Sequence, residues 1–248
     1  MAGTLMHGSH VPIREWFWAA YLVATLTPGI SALQLQRQLG LGSYRTAWFV
    51  LNRLRKGMVN DTRTPLAGIV EADETIIGGP VKNKRGRGVT HGTHKSLVIG
   101  AVEVILYFDK NRTLKEKAGR LRMEVIRHAD EETIGFFLKK NVKAGATIRS
   151  DGWRGYSKTA LSGYEHDQRI VGPPGRAHQV APHIHRMFSN LKTWLQGTHH
   201  GVDPKYLSGY LDEFVFRFNR RQTPMAAFQT LLGITTNKKP LTLVQLRS

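Results

Sequence analysis

The chain contains no cysteine, which excludes disulfides and thiolate-bound zinc. Acidic residues are scarce: 18 Asp and Glu stand against 36 Lys and Arg among 248 residues, for a formal net charge of +18. The corresponding pI is about 10.5, which makes a polyanion the first partner to consider. A membrane surface fits less well, because the cations are spread over several segments rather than lined up along one amphipathic helix. Long apolar runs are missing too. The most apolar stretch, Trp16 to Leu26, follows Arg14-Glu15 and stops at Thr27-Pro28-Gly29. It is about half the ~20 residues that a bilayer-spanning helix requires, so it reads as a core helix. With no span and no secretory signal, the expectation is no membrane partner and a place in the cytoplasm, at the nucleoid. What is present suffices for folding: 41% of residues are hydrophobic, and the length allows one ordinary domain plus a small accessory one.

From Arg14 to about Met58 apolar residues recur at three and four, with breaks at Thr27-Pro28-Gly29 and Gly40-Leu41-Gly42-Ser43, which predicts three helices. The second (Ser31 to Leu39) and third (Tyr44 to Lys56) are joined by a short Gly-containing turn, with Ser43 placed to cap the third. That is the outline of a helix-turn-helix. Tyr44, Arg45 and Thr46 would then face a DNA groove; the alternative is a three-helix packing module without nucleic-acid contact. Asn60 to Pro65 reads as a linker. Beyond it come strand-like runs at Gly68 to Ile77, Leu97 to Leu106 and Arg120 to Arg127. A helix from Asp130 to Asn141 follows, then a strand Ala146 to Arg149 leading to Asp151. The expected class is α/β, a ribonuclease H-like mixed sheet flanked by helices, in which the first and fourth strands lie side by side and bring Asp73 to Asp151. Helical pattern returns at Ile184 to Gln196, Lys205 to Arg221 and Met225 to Leu232. The expected divisions are a helix-turn-helix region at 1–60, a catalytic domain at 66–235 and a tail at 236–248. Between the first two strands runs a basic, Gly-rich loop, in which Lys82, Lys84, Arg85 and Arg87 are either a solvated charge run or phosphate contacts.

Acidic residues at strand ends within a cationic chain suit a metal-dependent enzyme acting on nucleic acid, since divalent ions need oxygen ligands and phosphates need Lys and Arg. On a strand, Glu71 and Asp73 project to one face and Glu74 to the other. Phosphodiester cleavage with two divalent ions uses a bridging carboxylate and a further ligand on each ion. Asp73 and Asp151 fit those roles. His185 and Lys192 are seven residues apart, close to two helical turns, so they share a helix face. His183 lies off that face and reads as structural or exposed, and His199 and His200 lack a companion ligand at diagnostic spacing. Glu213 is the rival for a third acidic position.

These residues carry a family resemblance. The segments Glu71-Ala72-Asp73-Glu74-Thr75-Ile76-Ile77-Gly78-Gly79, Ser150-Asp151-Gly152-Trp153-Arg154-Gly155-Tyr156, Ser189 to Gly197, and Tyr210-Leu211-Asp212-Glu213-Phe214 running into Arg217-Phe218-Asn219-Arg220-Arg221 resemble a bacterial insertion-sequence transposase. The group is the ISXO-two-like one (the IS-fifteen-ninety-five family) of the DD-E superfamily. The resemblance implies that Asp73 and Asp151 are the first two catalytic acids, that His185 stands in the third position, and that Lys192 is the basic residue of the same helix. It implies two divalent ions, Mg²⁺ or Mn²⁺, held by Asp73, Asp151 and His185. It further implies cleavage at element ends, strand transfer into target DNA, and a homodimer or larger synaptic assembly. Most DD-E enzymes carry Glu where this chain has His185. Imidazole is a poorer ligand for Mg²⁺ and a relatively better one for Mn²⁺, so activity with Mn²⁺ is expected to exceed that with Mg²⁺ by more than in a Glu-bearing relative. Arg217, Arg220 and Arg221 either track the DNA backbone or form a solvated helix face. Family members commonly begin with a Cys-rich zinc-binding segment, whereas this chain opens at Gly3-Thr4-Leu5-Met6-His7-Gly8; the expectation is a lost segment or a truncated frame. Two other functions compete: a truncated or inactive DNA-binding regulator of the element, and a ribonuclease H-like nuclease that hydrolyses without strand transfer.

Overall fold

The computed structural model describes residues 2–59, 63–78, 95–169 and 180–239. They fall into two compact units, one formed by Met1–Arg63 with Trp194–Ser248 and the other by Thr64–Thr193. Among the described residues no helix is long and apolar enough to cross a membrane.

The first unit opens with three helices, α1 (Ile13–Thr25), α2 (Ala32–Leu39) and α3 (Tyr44–Gly57). Ser31 and Ser43 cap α2 and α3, their hydroxyls accepting from the backbone N–H groups of Gln34 and Thr46, as the Ser-before-helix pattern predicts. Gly40 ends α2 in a left-handed conformation at φ 62°, which glycine adopts without the steric cost of a Cβ. After a 3-10 turn (Pro204–Tyr206), α6 (Leu207–Asn219) and α7 (Pro224–Asn237) supply Phe216, Ala227 and Leu231 to one core with Trp16, Val23, Ile30, Leu35 and Leu51. Periodicity marks a helix and its apolar stripe, not the surface that the stripe meets.

A buried ion pair and several side-chain bonds to carbonyls lie inside this unit. Arg55 and Glu213, with side chains 2% and 0% exposed, meet at 2.8 Å, and the Arg55 guanidinium lies 3.7 Å from the centre of the Tyr210 ring. Arg217 donates to the carbonyls of Leu26 and Thr27, while Trp194 and Thr198 donate to that of Pro28. At Gly29 (φ 73°) a Cβ would stand 2.7 Å from Arg217 Nη1, so the turn after α1 needs glycine both for its backbone and for its space. His199 packs edge-on between Trp194 and Tyr210, at 4.8 Å from each.

The second unit is a five-stranded mixed sheet with the order β3-β2-β1-β4-β5. β1 (Ile69–Ile77), β2 (Ser96–Phe108) and β3 (Leu114–Ile126) are antiparallel neighbours, while β4 (Thr147–Ser150) and β5 (Glu165–Gln168) run parallel to β1. The first and fourth strands are therefore side by side, as the ribonuclease H-like expectation requires. Between β3 and β4, α4 (Glu131–Asn141) covers one face; its Ile134, Phe137 and Leu138 pack with Val70, Ala72, Ile99, Ala101 and Ile148. Alternation of side chains along β1 then sends Glu71 and Asp73 to the opposite face. α5 (Pro182–His199) contributes its residues through Thr193 to this unit and those from Trp194 onward to the first.

Two stability predictions follow from the paired interior of the first unit. Removing one charge of a buried pair strands the other at a cost of about 3–5 kcal/mol. Glu213→Gln should therefore lose about that much in urea unfolding, and Glu213→Leu with Arg55→Met should recover most of it. Burial, reinforced by Arg55 and Arg217, lowers the His199 pKa from 6.5 to about 3. The unfolded chain thus protonates His199 first; its contribution to stability is intact above pH 6.5 and drains away as pH falls toward 3. Thermal melts from pH 7 to pH 4 should show a smaller drop for His199→Phe than for the wild type.

Candidate active site

β1 carries two acids on its exposed-to-helix face, and the structure gives them different surroundings. Glu71 is fully buried. Its Oε2 accepts the backbone N–H groups of His183 (2.7 Å) and Ile184 (3.0 Å) in the first turn of α5, and its Oε1 meets Arg149 Nη1 at 3.3 Å. The carboxylate caps a helix N-terminus, where the peptide dipoles favour negative charge. Asp73, one β-repeat further on, has no such commitment. Its cross-strand partner on β2 is Gly100. A Cβ at Gly100 would stand 2.8 Å from Ile184 Cδ1 and 2.9 Å from Phe188 Cε1, so the missing side chain lets α5 rest on the sheet beside Asp73. His185, adjacent to Ile184, brings Nδ1 to 3.5 Å from Asp73 Oδ2.

The parallel ladder between β1 and β4 pairs Glu71 with Arg149 and then ends. Continuing the same offset by two residues carries Asp73 to Asp151, the residue just after β4. Asp151 Oδ1 accepts the backbone N–H of Trp153 at 3.0 Å, and Trp153 Nε1 donates to the carbonyl of Ala129 at 2.9 Å, which fixes the turn. Burial pushes the Asp73 carboxyl up to about 6; a backbone hydrogen bond from Glu74 and the charges of His185 and Lys192 pull the other way, and Asp151 adds to the rise. Three of the four sequence-predicted residues, Asp151, His185 and Lys192, therefore act on the carboxyl group of the fourth, Asp73. Lys192 is exposed on α5.

Glu74 belongs to the same field, although face alternation set it aside. Burial pushes its carboxyl up to about 7; the hydroxyl of Tyr156 opposes this by donating to it at 2.6 Å, and Asp73 and Asp151 reinforce it. Burial, aided by Glu74, also raises the Tyr156 hydroxyl pKa well above its ordinary value. The signal for this contact was the tyrosine closing the segment that starts at Ser150-Asp151.

Two carboxylates and an imidazole, around a carboxyl whose pKa is raised partly by its acidic neighbour, form a donor set short of positive charge, which suits hard divalent cations. They do not crowd into a single coordination sphere. Among the described residues, the group whose ligand atoms all lie within 4.8 Å of one another is Glu71, Glu116 and His183. That group already has a cation: Arg149 Nη1 lies 3.3 Å from Glu71 and 3.1 Å from Glu116. The guanidinium hydrogen bond holds Glu116 below the usual carboxylate range. His183, read from sequence as structural or exposed, is 5% exposed, with Nε2 3.6 Å from Glu116 and Nδ1 without a hydrogen-bond partner.

Other candidates separate by location. Glu213, the rival third acid, is bound to Arg55 in the first unit, whereas Asp73 and Asp151 belong to the second. The Arg217 guanidinium donates to the carbonyls of the turn after α1 and lies 3.7 Å from Glu213. Arg220 and Arg221 lie over the rings of Phe216 and Phe218 at 4.1 and 4.0 Å. Tyr44 and Arg45 are exposed at the start of α3, and the Thr46 hydroxyl is 3.0 Å from that of Ser43. Lys82, Lys84, Arg85 and Arg87 lie outside the described residues.

Residues 65–219 match the ISXO2-like transposase domain. The uncharacterized protein in transposable element ISH50 of Halobacterium salinarum is 24% identical over 224 residues, spanning 87% of this chain and 72% of that protein. Among solved structures, the pre-cleavage Mos1 transpososome is similar at a TM-score of 0.26 and 11% identity, covering 93% of this chain and 81% of that one. The Mos1 transposase paired-end complex with left transposon end follows at 0.25 and 12%, covering 92% and 81%. Likeness that faint adds nothing to the family match. Because that match runs through well over half of the 248 residues and takes in both aspartates, the histidine and the lysine, the chain belongs to the ISXO2-like transposase family.

Proposed function

We propose that this transposase cuts DNA at the ends of a bacterial insertion sequence and joins the freed 3′-hydroxyl to target DNA. The observation that carries the reading is the meeting of Asp73 and His185 at 3.5 Å, with Asp151 and Lys192 acting on the same carboxyl. Asp73, Asp151 and His185 would hold two divalent ions, Mg²⁺ or Mn²⁺. Bound there, such ions activate water and offset the charge that develops on the phosphate undergoing in-line displacement. The protein's own residues set the geometry. Asp73 presents its carboxylate from a rigid strand, Asp151 from a turn pinned by its own Asx hydrogen bond, and His185 from a helix seated on Gly100. Lys192, about two turns along α5 from His185, neutralises a phosphate oxygen of the DNA strand.

Recognition of the element ends falls to the N-terminal helices. The capped start of α3 presents Tyr44 and Arg45 to solvent after a tight glycine turn, which supports a helix-turn-helix placed in a DNA groove with Thr46 beside them. Lys82, Lys84, Arg85 and Arg87 would contact phosphates near the site, with Arg220 and Arg221 tracking the backbone. Both ends must be cut together, so the working form is a homodimer or larger synaptic assembly, acting in the cytoplasm at the nucleoid.

Labelled duplexes carrying the flanking element ends provide the test, with a supercoiled plasmid as target. The wild type should nick the ends and join the 3′ strand to plasmid only when a divalent ion is added. Asp73→Ala and Asp151→Ala should each lower cleavage by at least about a hundredfold, the upper range for loss of an outer-sphere partner, while fluorescence anisotropy reports unchanged DNA binding. Cleavage without joining would mean a nuclease, and binding without metal-dependent cleavage by the wild type would mean a regulator. In the same assay the ratio of Mn²⁺ to Mg²⁺ activity should fall when His185 is replaced by Glu, because carboxylate suits Mg²⁺ better than imidazole does. Identical metal profiles would remove His185 from the coordination shell.

A further inference from the structure

One row of charges crosses the sheet directly below the proposed ligands. Glu71, Arg149 and Asp167 are register partners on β1, β4 and β5. Arg149 donates from Nη1 to Glu71, from Nε to Asp167 at 3.1 Å, and from Nη1 and Nη2 to Glu116 on β3 at 3.1 and 3.2 Å. The Glu71 carboxylate completes the link by accepting the N–H groups of His183 and Ile184. Each proposed ligand lies two residues beyond a residue of this row or one bound to it: Asp73 after Glu71, Asp151 after Arg149, and His185 after His183, whose N–H Glu71 accepts. For Asp73 two residues is one strand repeat on the same face, Asp151 follows β4 directly, and His185 sits in the helical turn whose N–H groups Glu71 accepts, so a displaced lower row moves the backbone that carries all three.

We propose that Glu71 and Arg149 are positioning residues: their buried ion pair, closed by the start of α5, sets the spacing of Asp73, Asp151 and His185 for the metal ions. The proposal rests on the reading of those three residues as the metal site. It assigns a different role to the Glu71, Glu116 and His183 group, whose cation is the Arg149 guanidinium. Side-chain exposures of 0% for Glu71 and 4% for Arg149 leave no water to take over if either is lost, so the row must shift when it is cut. Supporting groups of this kind, held one layer away from a metal, tune its affinity strongly.

Mn²⁺ titrations of the full chain, followed by electron paramagnetic resonance and paired with thermal melts, test this without reference to turnover. Asp73→Ala should abolish the specific Mn²⁺ signal. Folded Glu71→Gln should bind Mn²⁺ about tenfold more weakly with an altered spectrum, and Arg149→Lys, which keeps the charge but not the fork, should fall between it and the wild type. Should Glu71→Gln fail to fold, Glu116→Gln decides, since that carboxylate is one-third exposed; it should weaken binding in the same direction by less. Wild-type affinity and spectrum in folded Glu71→Gln or in Glu116→Gln, with binding lost in Asp73→Ala, would overturn the positioning role alone. Wild-type binding in Asp73→Ala, or binding abolished outright in Glu71→Gln while Asp73→Ala retains it, would overturn the site reading as well.

Discussion

A carboxylate removed entirely from water stays charged only where other groups replace its hydration, and Glu71 meets that demand with groups from two other elements. The N–H groups come from the first turn of α5 and the guanidinium from β4. Satisfying one buried charge therefore fixes a strand, its parallel neighbour and a helix relative to one another within the second unit. A partial fit would strand either the carboxylate or Arg149, so the arrangement is close to all-or-none. Gly100 is the steric counterpart. It leaves room for Ile184 and Phe188 where the next larger side chain would push α5 outward.

Two acidic rows on one sheet face thus have separate jobs. The lower row is saturated by arginine, backbone N–H groups and packing, and it shapes the molecule. The upper row, with Asp73 and the nearby Asp151, lacks a fixed cation of its own apart from the α5 side chains. The raised pKa of Asp73 reports that shortage, burial being the larger cause and the neighbouring acid a smaller one. A comparable split runs through the C-terminal family segment. Glu213 and Arg217, prominent in its sequence, are bound inside the first unit to Arg55 and to the carbonyls after α1.

Much of this architecture was legible in advance. Hydrophobic periodicity marked every long helix, and serine before each of α2 and α3 marked their starts. The segments around Asp73 and Asp151, taken with the fold they resemble, anticipated adjacent strands; that they run parallel came from the structure. Other parts left little trace. β5 is Glu165–Gln168, four polar residues that form a strand only because β4 offers them a ladder. The partners of α6 and α7 were hidden because an amphipathic stripe does not name the surface it will cover. Alternation along β1 placed Glu71 beside Asp73 but could not distinguish a ligand from a helix cap. That difference depends on His183, Ile184 and Arg149, remote in sequence. The contacts of Arg217 were hidden for a related reason: a basic residue near the end of a helix does not name the turn whose carbonyls it will meet.

The central claim is that the cation shortage around Asp73 marks the place where divalent ions bind. Anomalous diffraction from crystals soaked in Mn²⁺ measures this directly. The account predicts manganese density against the carboxylates of Asp73 and Asp151 and the His185 ring, with Arg149 still bound to Glu71. Manganese between Glu71, Glu116 and His183, with Arg149 displaced and the Asp73 carboxylate bare, would contradict it.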